Sequence, residues 1–386
     1  MRNDQKAYFR AITHKNVGES ILAASVKGVG DGGLNLGPDK EITRDIWLRD
    51  VFPEWGTILN KEIEETKPEP NSFMLWWLGG ASWWMKSAGG ANICIDQYSG
   101  SGGCLNYNDL SKYSGVVRMT GAQQMCWIRC VPHVLDPWAI KECDAYLSTH
   151  IHTDHCDFYT IKPLLQNTNC KFVGPPKCVE IFERWRIPKD RIVTVKPGDV
   201  VKIKDVEVCA VESFDRTVLV TEQKDIHKMT MDEFAKLMDQ KACNYVLKTP
   251  YGTVYDAGDS HYSNMFFKHG KEHKIDVALI TFGDNPDGMT DKMNPYDAYR
   301  AAKCLNAKVC IPMHYENWGI VEGDPTDLEM IANKKFAPFT VCIMRPGTKY
   351  VWPTDKDKKR IYYSQQIEVS KGFKTELVDL PFPAYL

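Results

Sequence analysis

The 386-residue chain lacks the features of a membrane or secreted protein. No apolar run reaches the about 18 residues needed to cross a bilayer. The amino-terminal residues contain no compact apolar stretch of the kind found in secretory signals. The thirteen cysteines include no Cys-x-x-Cys pair and are odd in number, which suits reduced thiols better than a disulfide framework. We therefore expect a soluble protein of the cytoplasm.

The chain also lacks an excess of charge of either sign. Its 48 Lys and Arg residues nearly balance its 50 Asp and Glu residues, which gives a net charge of -2. This balance provides no overall field to recruit nucleic acid or a membrane surface, and we expect neither as a partner. Residues 1–45, with their Gly-rich stretch 26–39, are predicted to form an extension that is flexible or lies in oligomer contacts. No linker follows, so residues 46–386 are predicted to be a single domain.

Histidine is scarce, with ten residues in all, yet three of the ten lie within six positions. The motif consists of His150, His152, Asp154 and His155. Such crowding is typical of a metal-binding loop, and the alternative is a solvated polar loop. Residues 145–149 are short and apolar and predict a buried strand leading into the motif. In extended backbone, residues two apart share a face, so His150 and His152 can face one cation. Asp154 and His155 lie past the bend and can face a second cation nearby.

The rest of the chain predicts alternating strands and helices. Strands are predicted at residues 73–85, 91–96, 200–211, 244–249, 253–257, 276–281 and 308–313. Helices are predicted at residues 161–166, 177–186 and 295–305. Asn294 is the expected N-cap of the last helix, with Pro295 at its first position. Strands 73–85 and 91–96 are predicted to pair as a hairpin. Four tryptophans are expected in the core of this hairpin, with a ring-stacking platform as the alternative: Trp76, Trp77, Trp83 and Trp84.

Further short strings occur in a fixed order along the chain. They are Trp-Trp-Leu-Gly (76–79), Lys-Ser-x-Gly-Gly (86–90), Ile-Asp (95–96), Val-Lys-Pro-Gly-Asp-Val-Val (195–201), Phe-Asp-Arg-Thr (214–217), Gly-Asp-Ser-His-Tyr-Ser-Asn (258–264), Thr-Asp-Lys-Met (290–293) and Ile-Pro-Met-His (311–314). The metal motif resembles the H-x-H-x-D-H signature of the metallo-β-lactamase fold. The chain is similar, over roughly residues 42–386, to a narrower family, the L-ascorbate-6-phosphate lactonases. The resemblance implies an α/β fold, an αββα sandwich of two mixed β-sheets flanked by helices.

The resemblance also implies ligands at the ends of other apolar strands. Asp215, Asp259 and His314 each follow such a strand, and the alternatives are turn aspartates and a hydrogen-bonded strand-end histidine. The superfamily generally supplies a histidine where this chain has Asp215. An oxygen ligand shifts preference from zinc toward manganese or iron, so we expect Mn²⁺, with Zn²⁺ as its competitor, and one or two ions. Asp96 is expected to support the metal loop through hydrogen bonds, with a solvent-facing strand end as the alternative. Cys156 is expected to be a small buried residue, with thiolate ligation as the alternative.

The expected activity is metal-assisted hydrolysis of a lactone. A hydroxide generated at the cation attacks the carbonyl, and Asp154 or Asp259 moves a proton to the departing ring oxygen. The resemblance implies a small phosphorylated sugar lactone, L-ascorbate 6-phosphate above others, and a homo-oligomer, which in the family is a hexamer. Candidate substrate contacts are polar residues near strand ends: Arg216, His261, Asn285 and Lys292.

Two other functions are compatible with the metal motif. A phosphodiesterase or nuclease is one, but the balanced charge and the lack of a basic run argue against it. A binding or scaffold module that has lost its activity is the other, but every expected ligand position holds a competent residue. After His314 the chain reads Tyr-Glu-Asn-Trp, where the lactonases have a second histidine. We expect this difference to change which lactone fits.

Overall fold

Two seven-stranded β-sheets form the centre of the structure, a computed structural model that describes residues 43–45, 47, 55–100, 129–215, 229–283, 292–317 and 323–363. The strands are β1 (Phe73–Gly79), β2 (Ser82–Ser87), β3 (Asn92–Ile95), β4 (Ala145–Leu147), β5 (Lys171–Gly174), β6 (Ile192–Thr194), β7 (Val200–Ile203), β8 (Val206–Glu212), β9 (Cys243–Thr249), β10 (Gly252–Asp256), β11 (Val277–Thr281), β12 (Val309–Met313), β13 (Thr340–Val341) and β14 (Lys349–Trp352). The helices are α1 (Ile58–Glu65), α2 (Phe158–Asn167), α3 (Pro176–Arg184), α4 (Met231–Lys241), α5 (Met265–Glu272), α6 (Pro295–Cys304) and α7 (Pro325–Lys334).

Both sheets are mixed. The first has the strand order β14-β1-β2-β3-β4-β5-β6, antiparallel from β14 to β3 and parallel from β3 to β6. The second has the order β13-β12-β11-β10-β9-β8-β7, antiparallel from β7 to β10 and parallel from β10 to β13. Helices α2 and α3 cover the outer face of the first sheet, and α6 and α7 pack on the second. The predicted sandwich of two mixed sheets flanked by helices is confirmed.

The four tryptophans of β1 and β2 lie in the core. Trp77 and Trp83 face the second sheet, whereas Trp76 and Trp84 lie on the outer face of the first sheet, where Trp76 donates to Glu62 of α1 at 2.9 Å. All four are buried, because the first sheet is covered on both faces. The core position predicted for them is confirmed.

Two of the predicted strands were wrong, because each is a pair of strands joined by a tight turn. Residues 73–85 reverse direction at Gly79 and Gly80, whose φ angles are 96° and 58°. Residues 200–211 reverse at Lys204, with φ 52°. Residues 73–85 are almost continuously apolar and residues 200–211 alternate throughout, so neither pattern marks the reversal. The last predicted helix is confirmed, since the Asn294 side chain caps it by accepting from the Asp297 amide.

Arg44 and Trp47 contact the first sheet's outer layer. The Arg44 guanidinium pairs with the Asp136 carboxylate at 2.9 Å, and the buried Trp47 donates its indole N–H to the Ser99 carbonyl at 3.0 Å. The predicted extension lies almost wholly outside the described residues, so the domain boundary at residue 45 stays a prediction. Among the described residues, none of the helices has both the length and the apolar character that a bilayer crossing requires.

Candidate metal centre

The predicted ligands lie on loops that follow strands of both sheets. The motif from His150 to His155 joins β4 to α2. Asp215, Asp259 and His314 follow β8, β10 and β12 of the second sheet. These three strands run in the same direction, so their carboxyl ends meet at one edge of the sheet.

The metal loop docks directly on the second sheet. The Thr149 carbonyl accepts a hydrogen bond from the Cys243 amide at 3.0 Å, and His150 forms an isolated antiparallel bridge with Ala242. A Cβ atom on Gly258 would lie 3.1 Å from the Thr149 side chain, and Gly258 itself has φ 48°. Glycine is therefore needed where the loop carrying Asp259 passes the metal loop.

All seven predicted ligands come together in three overlapping groups. The groups are His150, His152 and Asp215; Asp154, His155 and His314; and His150, His155 and Asp259. Within each group the potential ligand atoms lie within 4.8 Å of one another. The third group shares one histidine with each of the other two, so the arrangement suits two neighbouring cations with Asp259 between them.

Distances within the groups fit a cation with short bonds. His314 Nε2 lies 3.3 Å from His155 Nε2 and 3.0 Å from Asp154 Oδ2. His150 Nε2 lies 2.9 Å from His152 Nδ1 and 3.5 Å from Asp215 Oδ2. Around a tetrahedral ion with bonds of about 2.0–2.1 Å, ligand atoms are separated by about 3.3 Å. The side chains are thus spaced as a metal site requires.

The Asp96 carboxylate orients the metal loop through hydrogen bonds to Thr149 and His155. It is fully buried and accepts hydrogen bonds from the Thr149 amide at 2.8 Å and the Thr149 hydroxyl at 2.6 Å. Its Oδ2 also lies 2.7 Å from His155 Nδ1. A proton on Nδ1 leaves the Nε2 lone pair of His155 facing Asp154, Asp259 and His314. Asp96 is therefore not a solvent-facing strand end, and its contacts are those expected of a residue that supports the loop.

Burial keeps two of the imidazoles available for ligation. It lowers the pKa of His150 well below the usual value, and it lowers the pKa of His152 to about 4. Both rings are therefore neutral near pH 7 and offer lone pairs.

Two carboxylates of the site, Asp154 and Asp259, are ionised although they are buried. Burial alone would raise the pKa of Asp154, but His155 and His314 hold it below the usual value. Burial would likewise raise the pKa of Asp259, but Lys292, His314 and His155 hold it well below the usual value. Asp259 Oδ1 is also buried without a hydrogen-bond partner among the described residues. A bound cation would satisfy this oxygen.

The charge around His155 indicates that the site attracts positive charge. Burial by itself would lower the pKa of His155, but Asp259, Asp154 and Asp96 outweigh it and raise the pKa well above the usual value. A field that stabilises a proton on a buried imidazole also stabilises a metal ion in its place. The residues therefore fit the divalent cation that the motif predicts.

Two residues of the site, the supporting Asp96 and the predicted ligand His314, have unusual backbone geometry. Asp96 has φ 44° and His314 has φ 70°, in the left-handed region that residues other than glycine rarely adopt. The His314 amide donates to the Gly80 carbonyl at 3.1 Å, which ties it to the β1–β2 turn. Such strain persists only where surrounding contacts hold it, and here it aims both side chains into the site.

The structure describes two of the four residues predicted to contact substrate. Arg216 and Asn285 lie outside the described residues. His261 is half-buried, two residues past Asp259, with its ring edge-on to Phe214 at 6.4 Å. Lys292 is almost fully buried, with Nζ 3.0 Å from Asp259 Oδ2, so it lies against the site itself.

Sequence reasoning missed one residue beside the motif. Asn317 is buried, and its Nδ2 lies 3.4 Å from Asp154 Oδ2. A Cβ atom on Gly80 would be 3.0 Å from the Asn317 side chain, so the amide lies against the β1–β2 turn. The signal was the Tyr-Glu-Asn-Trp segment after His314, which the sequence marks as a difference from the lactonases. Cys156 is fully buried and belongs to none of the three groups.

Comparison with known proteins gives consistent matches. Residues 122–315 match the family model described as "Beta-lactamase superfamily domain". Proteins of Escherichia coli O45:K1 (strain S88 / ExPEC) and Escherichia fergusonii carry the name "Probable L-ascorbate-6-phosphate lactonase UlaG". They are each 43% identical to this chain, over 358 and 361 residues, which cover 90% of this chain and 99% of the relative.

Solved structures share the fold at much lower identity. Igni18, a metallo hydrolase from Ignicoccus hospitalis, is 16% identical, with a TM-score of 0.50 over 73% of this chain and 98% of that chain. Isothiocyanate hydrolase from Delia radicum gut bacteria is 15% identical, with a TM-score of 0.52 over 72% of this chain and 98% of that chain. These two likenesses concern the fold alone.

Proposed function

Because this chain belongs to the β-lactamase superfamily and, within it, to the family of the L-ascorbate-6-phosphate lactonases, we propose that it is a metal-dependent lactonase that opens the ring of a phosphorylated sugar lactone. L-Ascorbate 6-phosphate is the substrate that the relatives' names indicate. The observation that carries the proposal is the convergence of seven histidine and aspartate side chains from both sheets into three overlapping groups. We propose that these seven residues are the ligands of one or two ions.

A divalent cation, when bound, lowers the pKa of water and polarises a carbonyl group. The chain's own residues then have separate tasks. Lys292 Nζ lies 3.0 Å from Asp259 Oδ2 and favours the ionised form of that carboxylate. Asp259 is therefore suited to hold and orient the attacking water. The Asp154 side chain is 10% exposed and thus more open to solvent than Asp259, at 3%. We therefore assign the proton transfer to Asp154 Oδ2.

The proposed reaction balances as a simple ester hydrolysis. The water oxygen forms a bond to the lactone carbonyl carbon, and one water proton passes to Asp154 Oδ2. The bond between that carbon and the ring oxygen breaks, and the proton moves from Asp154 to the ring oxygen, which becomes a hydroxyl group. Asn317 Nδ2, 3.4 Å from the same oxygen, fixes the orientation of the carboxylate during the transfer. The product is an open-chain sugar acid that keeps its phosphate.

Recognition of the phosphate needs cationic or polar donors near the site. We propose Arg216 for this role because it directly follows Asp215 and its guanidinium can bind phosphate through two hydrogen bonds. Asn285 and His261 are proposed as further contacts. Lys292 forms an ion pair with Asp259 and is proposed to act through that carboxylate. It is proposed to contact the substrate only near its lactone carbonyl and not at its phosphate.

The test combines metal analysis with turnover. Purified protein is expected to contain one or two equivalents of Mn²⁺ or Zn²⁺ per chain by elemental analysis, and to open L-ascorbate 6-phosphate in a chelator-sensitive reaction. A generic phosphodiester, bis(4-nitrophenyl) phosphate, serves as the competing substrate. Faster turnover of the phosphodiester than of every phosphorylated lactone would contradict the proposal and favour a phosphodiesterase.

Asp215 is expected to set metal preference. Its carboxylate makes the first group a site of two imidazoles and one oxygen, harder than three imidazoles. Asp215→His is therefore expected to raise the Zn²⁺-to-Mn²⁺ loading ratio about tenfold in competitive loading followed by elemental analysis. Asp215→Asn, which removes the charge without adding a nitrogen ligand, is the matched control and should weaken both metals. An unchanged ratio in Asp215→His would mean that Asp215 is not a ligand.

The homo-oligomer, the location in the cytoplasm and the preference for manganese stay predictions. Each comes from the sequence or from the family resemblance.

A further inference from the structure

A chain of hydrogen-bonded side chains lies behind Asp215 and Asp259 and belongs to none of the three ligand groups. Its members come from β8, β9, β10, the loop after β10 and α5: Glu212, Asn244, Tyr255, Ser260 and His269. All but Glu212 are buried. The metal site as described does not use them.

The outer half of this network runs from the protein surface to the sheet. Glu212 Oε2 lies 2.9 Å from His269 Nε2, and Glu212 Oε1 accepts from Lys268 Nζ at 2.6 Å. On the other side of its ring, His269 Nδ1 lies 2.9 Å from the Tyr255 hydroxyl. The Tyr255 hydroxyl in turn accepts from Asn244 Nδ2 at 3.1 Å.

The inner half reaches the two strand ends that carry the carboxylates. The Ser260 hydroxyl donates to Asn244 Oδ1 at 3.2 Å and accepts from the Phe214 amide at 3.2 Å. The His261 amide donates to the Phe214 carbonyl at 3.4 Å. Phe214 precedes Asp215 and Ser260 follows Asp259, so these bonds hold the two carboxylate-bearing segments side by side.

The outer end of this network carries a charge. The hydrogen bond from His269 and the contact with Lys268 lower the pKa of Glu212 to about 2, although burial opposes them. An ionised Glu212 carboxylate can only accept, so His269 donates to it from Nε2. In the neutral imidazole, Nδ1 accepts from the Tyr255 hydroxyl, which in turn accepts from Asn244 Nδ2. Asn244 Nδ2 also donates to the Ser260 hydroxyl at 3.1 Å, so two contacts join Asn244 to Ser260.

Ring packing reinforces the same link. The His269 ring stacks on the Phe214 ring, with centroids 6.0 Å apart and planes at 22°. Tyr255 and Phe266 pack edge-on beside them, with centroids 5.9 Å apart. A satisfied polar network within packed aromatic rings has little freedom to shift.

We propose that the network from Glu212 to Ser260 is a positioning device that fixes the distance between Asp215 and Asp259 and thereby sets the affinity of the site for its cation. The inference rests on the proposed function, since it assumes that these carboxylates bind metal. His269 and Tyr255 are positioning residues, because they act through Ser260 and Phe214. Partners that hold metal ligands in place typically contribute 10–100-fold in affinity or activity.

Tyr255→Phe tests the network, since it removes one hydroxyl group and keeps the ring. In chelator-stripped protein, the dissociation constants for Mn²⁺ and Zn²⁺, measured by titration calorimetry, are expected to rise about tenfold. With L-ascorbate 6-phosphate, kcat is expected to fall while KM changes less than about twofold, because no proposed substrate contact is altered. His269→Gln can still donate to Glu212 and accept from Tyr255, so it should retain more affinity than His269→Phe, which can do neither.

Tyr350→Phe is the matched control. Tyr350 is a fully buried tyrosine of β14 whose hydroxyl has no hydrogen-bond partner among the described residues. This variant should bind both metals as the wild type does. If Tyr255→Phe does not fold, Ser260→Ala, which breaks the chain at its inner end, takes its place.

The outcomes separate the two proposals. The positioning role would be overturned if the wild type binds the metals tightly and folded Tyr255→Phe binds them equally well. Equal metal affinity of His269→Gln and His269→Phe would also overturn it. Both results would leave the proposed function intact. A wild-type protein that binds neither metal would overturn both.

Discussion

Replacing His152 by alanine is expected to abolish turnover and to remove the cation from the group that contains His150 and Asp215. His152 supplies one of only three ligand atoms in that group. Loss of one ligand from a three-residue site would leave a bound ion exposed to exchange, and loss of that ion would remove the activation of water and carbonyl that we propose for it. We expect kcat/KM for the lactone to fall by roughly 10³-fold or more.

The protein should remain folded in this variant. His152 is only half-buried, so truncating its ring leaves no enclosed cavity. Circular dichroism and the thermal transition of chelator-treated samples check folding, and elemental analysis checks metal content. His273→Ala is the matched control, because His273 is also half-buried and its Nδ1 has no hydrogen-bond partner among the described residues. Wild-type turnover by a metal-depleted His152→Ala protein would rule out the proposed site.

Asp259→Asn is expected to have two separable effects. The side chain belongs to the group that joins the other two, and its oxygens lie 3.4 Å from His155 Nε2 and 3.3 Å from His314 Nε2. Loss of its charge should therefore reduce metal content and activity together. It also breaks the ion pair between Asp259 and Lys292, which is buried at 3% exposure. Breaking a buried ion pair from one side costs about 3–5 kcal/mol.

A second substitution separates these effects. In the double variant Asp259→Asn/Lys292→Met the buried positive charge is removed together with the negative one, so the free energy of unfolding should recover by a few kcal/mol, while activity should stay lost. Chemical denaturation of metal-free protein measures the first effect, and lactone turnover the second. Lys141→Met is the control, since Lys141 forms an exposed ion pair with Glu64 and should change stability by less than about 1 kcal/mol. Stability that stays low in the double variant would show that the Lys292–Asp259 pair is not the cause.

The convergence of the site could be predicted because each candidate follows an apolar strand. Asp259 and His314 are 55 residues apart in sequence, yet both come at the carboxyl ends of strands with a common direction. The fold class follows from the same alternation of strands and helices. The resemblance to the lactonases then identified which polar strand-end residues to group.

Other features could not be read from the sequence, because they depend on how separate segments pack. Glycine pairs occur both in turns and in loops, so nothing distinguished Gly79 and Gly80 as the reversal between β1 and β2. The contact of Lys292 with Asp259 depends on how the chain returns after β11. The pairing of His269 with Tyr255 requires α5 to lie against β10, and no sequence spacing encodes that contact.

The origin of the ligands in both sheets has a consequence for stability. Four of the seven proposed ligands come from the loop after β4, and the other three come from the ends of β8, β10 and β12. A bound ion would therefore link the two β-sheets. Its removal would leave like charges facing each other where the two sheets meet. Binding at 100 times the dissociation constant adds about 2.7 kcal/mol to folding. Depletion of the metal would then lower the stability of the fold as well as abolish activity. The less stable protein would be degraded faster by proteases, so its amount in the cell would depend on the metal supply.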